Sequence, residues 1–250
     1  MKVKKKILVS QPEPAEKSPY DELKEKHGVT VEFKPFIQVE GVTLKDFLKQ
    51  RIDVLSHTAV VFTARTAVDH FFSICESMRI NVPETMKYFC MSEAIALYLQ
   101  KYIVYRKRKI FFGNGSLTSL IETINVPKHK NDKYLLALAD TYKPEVPKSF
   151  EKAKLKCTKV ILYRTVANDL KDLNISDYGI VAFFSPAEIK SLQANFPEYE
   201  QGDTLFATFG PATAKAVKTA KFRLDIEAPK PEYPSMSKAI DLFLDGNAMK

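Results

Sequence analysis

Two short stretches hold the residues best placed to do chemistry: Phe183-Phe184-Ser185-Pro186-Ala187-Glu188-Ile189 and Phe209-Gly210-Pro211-Ala212-Thr213-Ala214. Each follows an apolar run, residues 179–182 in one case and 204–208 in the other, and each opens a segment with helical spacing. In both, a small residue stands just before a proline where strand gives way to helix. Ser185 is of the type that caps the following amides, Pro186 and Pro211 suit the first helical position, and Gly210 tolerates a tight turn. Turns of this kind direct free N–H groups and positive helix ends at whatever lies above a sheet. The chemistry expected of Ser185, Pro186, Ala187, Gly210, Pro211, Ala212 and Thr213 is therefore the binding of an anion.

A weaker pair of turns precedes them. Phe62-Thr63-Ala64-Arg65-Thr66-Ala67-Val68 aligns with the first stretch, and Ser92-Glu93-Ala94-Ile95-Ala96-Leu97-Tyr98-Leu99 with the second, at similar separation. Any two strand–helix units share this much, so the alignment is read two ways, as chance or as a repeat. As a repeat it gives each half of the chain one pair of strand-to-helix turns, facing each other across a cleft.

Composition narrows the ligand. The chain has 250 residues, 45% of them apolar, enough for one large domain or two modest ones. A net charge of +8 suits nucleic acid or a small polyanion. Only eight glycines occur, and neither GxGxxG nor GxxxxGK[ST] is present, which argues against a glycine-rich nucleotide loop. Cys75, Cys90 and Cys157 are scattered, without CxxC, and read as buried thiols in a reducing compartment. The lysine-rich start resembles a signal peptide but lacks a long apolar core, so residues 7–9 read as a first strand. With no apolar run of the ~18–20 residues a membrane span needs, the expectation is a soluble, cytoplasmic protein.

The elements that must position these residues alternate along the chain. Strands are expected at residues 7–9, 29–36, 59–63, 88–91, 103–105, 110–112, 134–139, 159–166, 180–183, 204–208 and 222–228. Helices are expected at 19–27, 43–51, 65–78, 92–100, 117–124, 146–155 and 235–244, and after Ser185 and Gly210. Such alternation implies parallel sheets with helices on both faces, and this many strands favours two α/β domains over one. Changes of character near 37–41 and 164–170 make the domains interleaved: 1–37 with 168–250 as the first, and 40–165 inserted in it.

With these residues in order, the chain resembles the uroporphyrinogen-III synthase family. The features that carry the likeness are Val9-Ser10-Gln11-Pro12, Phe62-Thr63-Ala64, the segment from Ser92 to Leu99, Leu162-Tyr163-Arg164-Thr165, Phe183-Phe184-Ser185, and the segment from Gly210 to Val217. Glu227-Ala228-Pro229 and Pro234-Ser235-Met236 match the family's C-terminal segment. The resemblance implies two interleaved α/β domains with a ligand cleft between them. It also implies cyclisation of hydroxymethylbilane, a linear tetrapyrrole polycarboxylate, with inversion of ring D and loss of water, needing no cofactor or metal. It assigns Tyr163 as the acid or hydroxyl orienter, and Ser10, Gln11, Thr63, Ala64, Arg65 and Ser92, with the residues of the first paragraph, as substrate-binding. The family's early arginine is Gln11 here, the serine of the first FTS turn is Ala64, and its G-x-x-T pair is Ser92 and Ile95. The C-terminal turns are thus expected to grip substrate through side chains and amides, the earlier pair mainly through backbone and charge.

The remaining candidates read as structural. His27, His57, His70 and His129 share no ligand spacing, so no metal site is expected. Cys90 reads as a buried thiol rather than a nucleophile. Tyr105-Arg106-Lys107-Arg108-Lys109 reads as a solvated basic turn that steers an anionic substrate, with nucleic-acid binding the competing interpretation. A non-catalytic two-domain binder of a small polyanion is the other functional alternative. The protein is expected to act as a monomer, with no nucleic-acid or membrane partner beyond a transient contact with the enzyme supplying hydroxymethylbilane.

Overall fold

Parallel strand pairing sorts the chain into two sheets. The computed structural model describes residues 5–246, so Met1–Lys4, part of the lysine-rich start, lie outside the described residues. The chain begins with β1 (Lys6–Val9), α1 (Asp21–His27), β2 (Thr30–Phe33) and β3 (Ile37–Gly41). It continues through α2 (Leu44–Lys49), β4 (Ala59–Phe62), α3 (Arg65–Ser77), β5 (Lys87–Cys90) and α4 (Glu93–Tyr98). Next come β6 (Ile110–Phe112), α5 (Leu117–Ile124), β7 (Tyr134–Ala139), α6 (Glu145–Lys152) and the long β8 (Cys157–Ala167). The last elements are β9 (Ile180–Phe183), α7 (Pro186–Asn195), β10 (Leu205–Phe209), α8 (Pro211–Thr219), β11 (Ile226–Ala228) and α9 (Met236–Leu244).

Two units result. One comprises the chain up to Gln38 together with everything from Val166 on, and the other spans Val39–Thr165. The first unit's sheet runs β11-β10-β9-β1-β2, the second's β3-β8-β7-β4-β5-β6. The pairs β1–β2, β1–β9, β9–β10 and β10–β11 are parallel, as are β4–β5, β4–β7, β5–β6 and β7–β8. The fold is mixed α/β with two predominantly parallel sheets.

Alternation along the strands divides each core in two. In β9, Ile180 and Ala182 join a cluster with Leu23 of α1 and Ile240 of α9, while Val181 and Phe183 join one with Leu192 of α7 and Val217 of α8. In β4, Val60 and Phe62 pack with Val68 and Phe71 of α3, while Ala59 and Val61 pack with Leu120 of α5 and Phe150 of α6. Both sheets are thus covered on both faces, which is why their strands read as continuous apolar runs. Each fully buried Phe or Leu contributes about 1.5–3 kcal/mol relative to exposure.

Some expected boundaries move, for local reasons. Residues 103–105 form no strand: Ile103 N–H bonds back to Leu99 as in a helix terminus, and Val104 is 77% exposed, so no ladder forms. The basic run after it is a turn closed by Lys109 N–H to Arg106 O. The strand expected from 222 begins only at Ile226, because Phe222 N–H still bonds to Val217 at the end of α8 and Arg223 N–H is taken by the Gln201 side chain. The helices expected to reach 51 and 155 end at Lys49 and Lys152, where Arg51 (φ 53°) and Lys154 (φ 56°) turn left-handed. The crossing expected near 37–41 falls between Gln38 and Val39, and its extended chain forms β3, which neighbours β8 in the second sheet. Among the described residues no helix is long and apolar enough to cross a membrane.

One ion-pair cluster staples the ends of the first unit together. Asp241 of α9 accepts from Lys26 (2.7 Å), His27 Nε2 (2.9 Å) and Lys238 (2.7 Å), and Lys26 also binds Asp245. Among the described residues, His27, Asp241 and Asp245 alone group as metal ligands do, yet the Lys26 ammonium already bonds both carboxylates. Hydrogen bonds from Lys238, Lys26 and His27 hold the Asp241 carboxyl well below the usual carboxylate range. Its contribution is therefore complete above the ordinary carboxylate pKa and is lost as pH falls through the lower folded value. Asp241→Asn is expected to lower Tm by a few degrees at neutral pH. Thermal melts across pH check this, and the gap to wild type should close in strong acid.

Candidate functional site

In the first unit, the expected substrate-binding residues all sit at the C-terminal ends of neighbouring parallel strands. Ser10 and Gln11 follow β1, Phe184–Ala187 follow β9, and Gly210–Thr213 follow β10, so one sheet edge carries all three turns. The strand order reverses between β1 and β9, and ligands of open α/β sheets bind outside the carboxyl ends at such a reversal. Pro186 and Pro211 are indeed the first residues of α7 and α8. Gly210 has φ 89° and ψ 151°, a backbone state in which glycine is at ease and side-chain-bearing residues are strained.

Side chains at this edge depart from simple capping. The turn into α7 has the capping-box pattern of a serine followed three residues on by glutamate. In its serine half, Ser185 Oγ is buried and faces the Glu188 N–H as the box requires, while no acceptor takes the hydroxyl's own hydrogen. The glutamate half is tight, because Glu188 Oε2 accepts from Phe184 N–H (2.6 Å), Ser185 N–H (3.2 Å) and Ser10 Oγ (2.6 Å). Burial pushes the Glu188 carboxyl up, and these three bonds partly offset it. Ser10 is 1% exposed and its hydroxyl is committed to Glu188, whereas Gln11 is open to solvent. Thr213 is buried on α8, while Pro211 and Ala212 are exposed. Thr208 of β10, in register with Phe183, has a buried hydroxyl without a partner. Native proteins carry few such groups, and a ligand acceptor is one way to satisfy them.

In the second unit, Thr63, Ala64 and Arg65 follow β4, Ser92 follows β5, and these strands are adjacent. Ala64 and Ser92 are the N-caps of α3 and α4 and neither makes a side-chain cap bond, which leaves first-turn N–H groups open. Arg65 is exposed, has no carboxylate partner among the described residues, and lies 5.5 Å over the Tyr98 ring. Tyr98 in turn donates to Asp69 (2.9 Å), which also accepts from Tyr102 and from Lys101 (2.9 Å). Burial disfavours the Asp69 anion, but hydrogen bonds from Tyr102, Lys101 and Tyr98 outweigh it and hold the carboxyl below its usual range. The guanidinium thus rests on a braced platform with its charge uncompensated.

Tyr163 belongs to β8 and pairs with Ala139 just past a bulge, while Phe62 at the end of β4 pairs with Ala137. Tyr163 therefore sits toward the same edge as Thr63 and Arg65, two strands away. Its ring stacks on His70 of α3 at 5.5 Å and 23°. The His70 ring leaves no space on β3: a Cβ on Gly41 would stand 2.7 Å from His70 Nδ1. Burial pushes the Tyr163 phenol up, so it stays protonated at neutral pH. Burial also lowers His70, against the opposing charge of Asp69, and favours the neutral imidazole. A depression of about 530 Å³ in this unit lies instead along Asp69, Phe72, Glu76, Ile80 and Tyr102, and holds none of the sequence-predicted site residues.

Comparison with known proteins settles what these edges belong to. The profile of the family described as Uroporphyrinogen-III synthase HemD matches residues 18–238. The chain belongs to this family. No curated protein sequence matches it significantly. Among solved structures it is similar to uroporphyrinogen-III synthetase from Helicobacter pylori 26695, at 16% identity and a TM-score of 0.56, covering 96% of this chain and 99% of that one. It is also similar to a mutant uroporphyrinogen III synthase from the extremely thermophilic bacterium Thermus thermophilus, at 14% identity and a TM-score of 0.50, with 96% and 99% covered. At these identities the likeness is one of fold.

Within the uroporphyrinogen-III synthase pattern, several structural residues escape a reading by motif. Glu188 was within reach, since serine followed by glutamate three residues later is a recognisable capping signature. The His70–Tyr163 stack, the Gly41 clearance and the Tyr98 platform join residues far apart in sequence and had no local signal. Cys90 is fully buried and its thiol is pushed up to about 12 by burial, so it is inert. Of the basic run, Arg106 pairs with Glu84 (2.7 Å) and Lys109 bonds the Thr85 carbonyl (3.3 Å).

Ser185 is the N-cap of α7 and the serine half of its capping box. Ser185→Ala is therefore expected to lower unfolding free energy by about 0.5–2 kcal/mol, while weakening substrate binding. Denaturant unfolding alongside KM for the family's substrate checks both halves.

Proposed function

We propose that this protein catalyses the uroporphyrinogen-III synthase reaction, closing hydroxymethylbilane to uroporphyrinogen III with inversion of ring D and release of water. Membership of the family across residues 18–238 carries the reading. The sheet edges suit the demand. The substrate is a flexible polycarboxylate, and amides at the α3, α7 and α8 starts, an uncompensated Arg65, and a net charge of +8 all favour carboxylates.

The chemistry asks for little acid strength. The pyrrole nitrogen next to the hydroxymethyl group expels the hydroxyl, leaving a delocalised cation, and a hydrogen-bond donor at the departing oxygen suffices. Tyr163 is the residue we assign to that role: its phenol, raised above an already high ~10, is a donor throughout the neutral range. Ring closure at the substituted carbon of ring D gives a spiro intermediate, which opens and recloses with ring D inverted. One hydroxyl and one proton leave, so the balance is a single water. Holding the two ends of the chain at the right ring faces is the larger part of the work. Ser185, Ala187, Gly210 and Thr213 of the first unit, and Thr63, Arg65 and Ser92 of the second, are the binding residues in this reading. It carries with it a cytoplasmic, monomeric enzyme, in keeping with three free cysteines of which Cys75 and Cys90 are buried.

The product isomer is the deciding measurement. Hydroxymethylbilane incubated with the protein should give the type III isomer, and formation of only the spontaneous type I isomer would overturn the reading. Tyr163→Phe is expected to cut kcat about tenfold or more, at the lower end of or below the usual ~10²–10⁴ for a positioned proton donor, with Tm little changed. An undiminished kcat would remove Tyr163 from the chemistry and leave activation to the substrate itself.

A further inference from the structure

The turn into α7 buries an acidic side chain, Glu188, where the proposed ligand is itself an anion. Glu188 is 3% exposed, and among the described residues no cationic side chain pairs with it. A buried carboxylate without a counter-ion persists only if hydrogen bonds replace its water. Here three donors converge on one oxygen, from Ser10 at the end of β1, Phe184 just after β9, and Ser185 at the helix cap. These segments flank the point where the strand order of the first sheet reverses.

The consequence for recognition is a division of donors. The Phe184 and Ser185 amides and the Ser10 hydroxyl are the groups an incoming carboxylate would otherwise meet first at this turn, and Glu188 takes all three. Left over are the hydrogen of the buried Ser185 hydroxyl, whose oxygen faces the Glu188 N–H and which has no acceptor, and the Ala187 N–H at the helix start. Glu188 is at once the brace that ties β1 to α7 and the occupant of the inner half of the anion site.

We propose that Glu188 is a positioning residue for substrate binding: its carboxylate fixes the α7 turn through Ser10, Phe184 and Ser185, so that the Ser185 hydroxyl and the Ala187 amide alone are presented to a substrate carboxylate there. The proposal rests on the reading of the chain as a uroporphyrinogen-III synthase. It moves Ser10 from substrate contact to support.

The full-length protein with hydroxymethylbilane provides the test, with wild-type turnover measured first. No type III isomer from wild type overturns the functional reading and this proposal with it. With wild type active, Glu188→Ala should raise KM about tenfold and lower the ratio of type III to type I product, with kcat changed less than about threefold. Glu188→Gln, which keeps an acceptor for the same three donors, should recover most of the lost KM. A Glu188→Ala protein that folds with wild-type KM and isomer ratio overturns the proposal alone, as does one in which Gln rescues nothing. Should Glu188→Ala not fold, Ser10→Ala removes one donor to the same oxygen and should raise KM several-fold; an unchanged KM overturns the proposal.

Discussion

Parallel register is the constraint on which the rest of the molecule depends. Because β1, β9 and β10 run the same way and pair side by side, three sequence-distant turns finish at one edge of one sheet. The same holds for β4 and β5 in the second unit. Helix starts and their unsatisfied amides are delivered to those edges automatically, since each parallel strand must be followed by a crossover. A binding edge for anions needs no dedicated architecture under this rule. It needs only residues that leave the amides accessible and backbone states that keep side chains out of the way, such as Gly210 at φ 89°.

What lines the edges is then a matter of polar accounting. Asp241, Asp69 and Glu188 each sit among several donors, but to different effect. Asp241 and Asp69 are partly exposed, meet lysines, and are held below the usual carboxylate range. Glu188 meets only neutral donors in a buried setting and is pushed the other way. Carboxylates of the first kind contribute to stability. The second kind contributes little net stability and fixes geometry instead, the more usual arrangement at a ligand site.

Much of this was legible in the residue order. Continuous apolar runs such as Val60-Val61-Phe62 and Ile180-Val181-Ala182-Phe183 announce strands covered on both faces, and helical spacing between them announces crossovers. Pro186 and Pro211 marked two helix starts to the residue. Legibility failed where a local pattern had no ladder to join: Ile103-Val104-Tyr105 is apolar enough for a strand, but its backbone is drawn into the end of the preceding helix. Ser185 was legible as the cap of α7, while the part of Glu188 in the same capping box went unread. The stack of His70 on Tyr163 and the clearance at Gly41 depend on three elements meeting, a fact that no window of sequence contains.

The pairing of Asn168 N–H with Phe36 O, 2.9 Å apart, joins the places where the chain leaves the first unit and comes back to it. Everything between them, including the whole of the second unit, is a detour. During synthesis that detour is complete by Thr165, before β9 exists, whereas β1, already able to pair with β2, waits for β9 on its other side. Bringing Ser10 to Glu188 spans 178 residues of chain, a slow search for an open coil. Once the detour has folded, β3 and β8 lie side by side and its two ends emerge together. The loop left to close is then only the short flanking segments, and its entropy cost shrinks accordingly. The inserted unit thus acts as a clasp, its own folding preparing the assembly of the sheet that surrounds it in sequence.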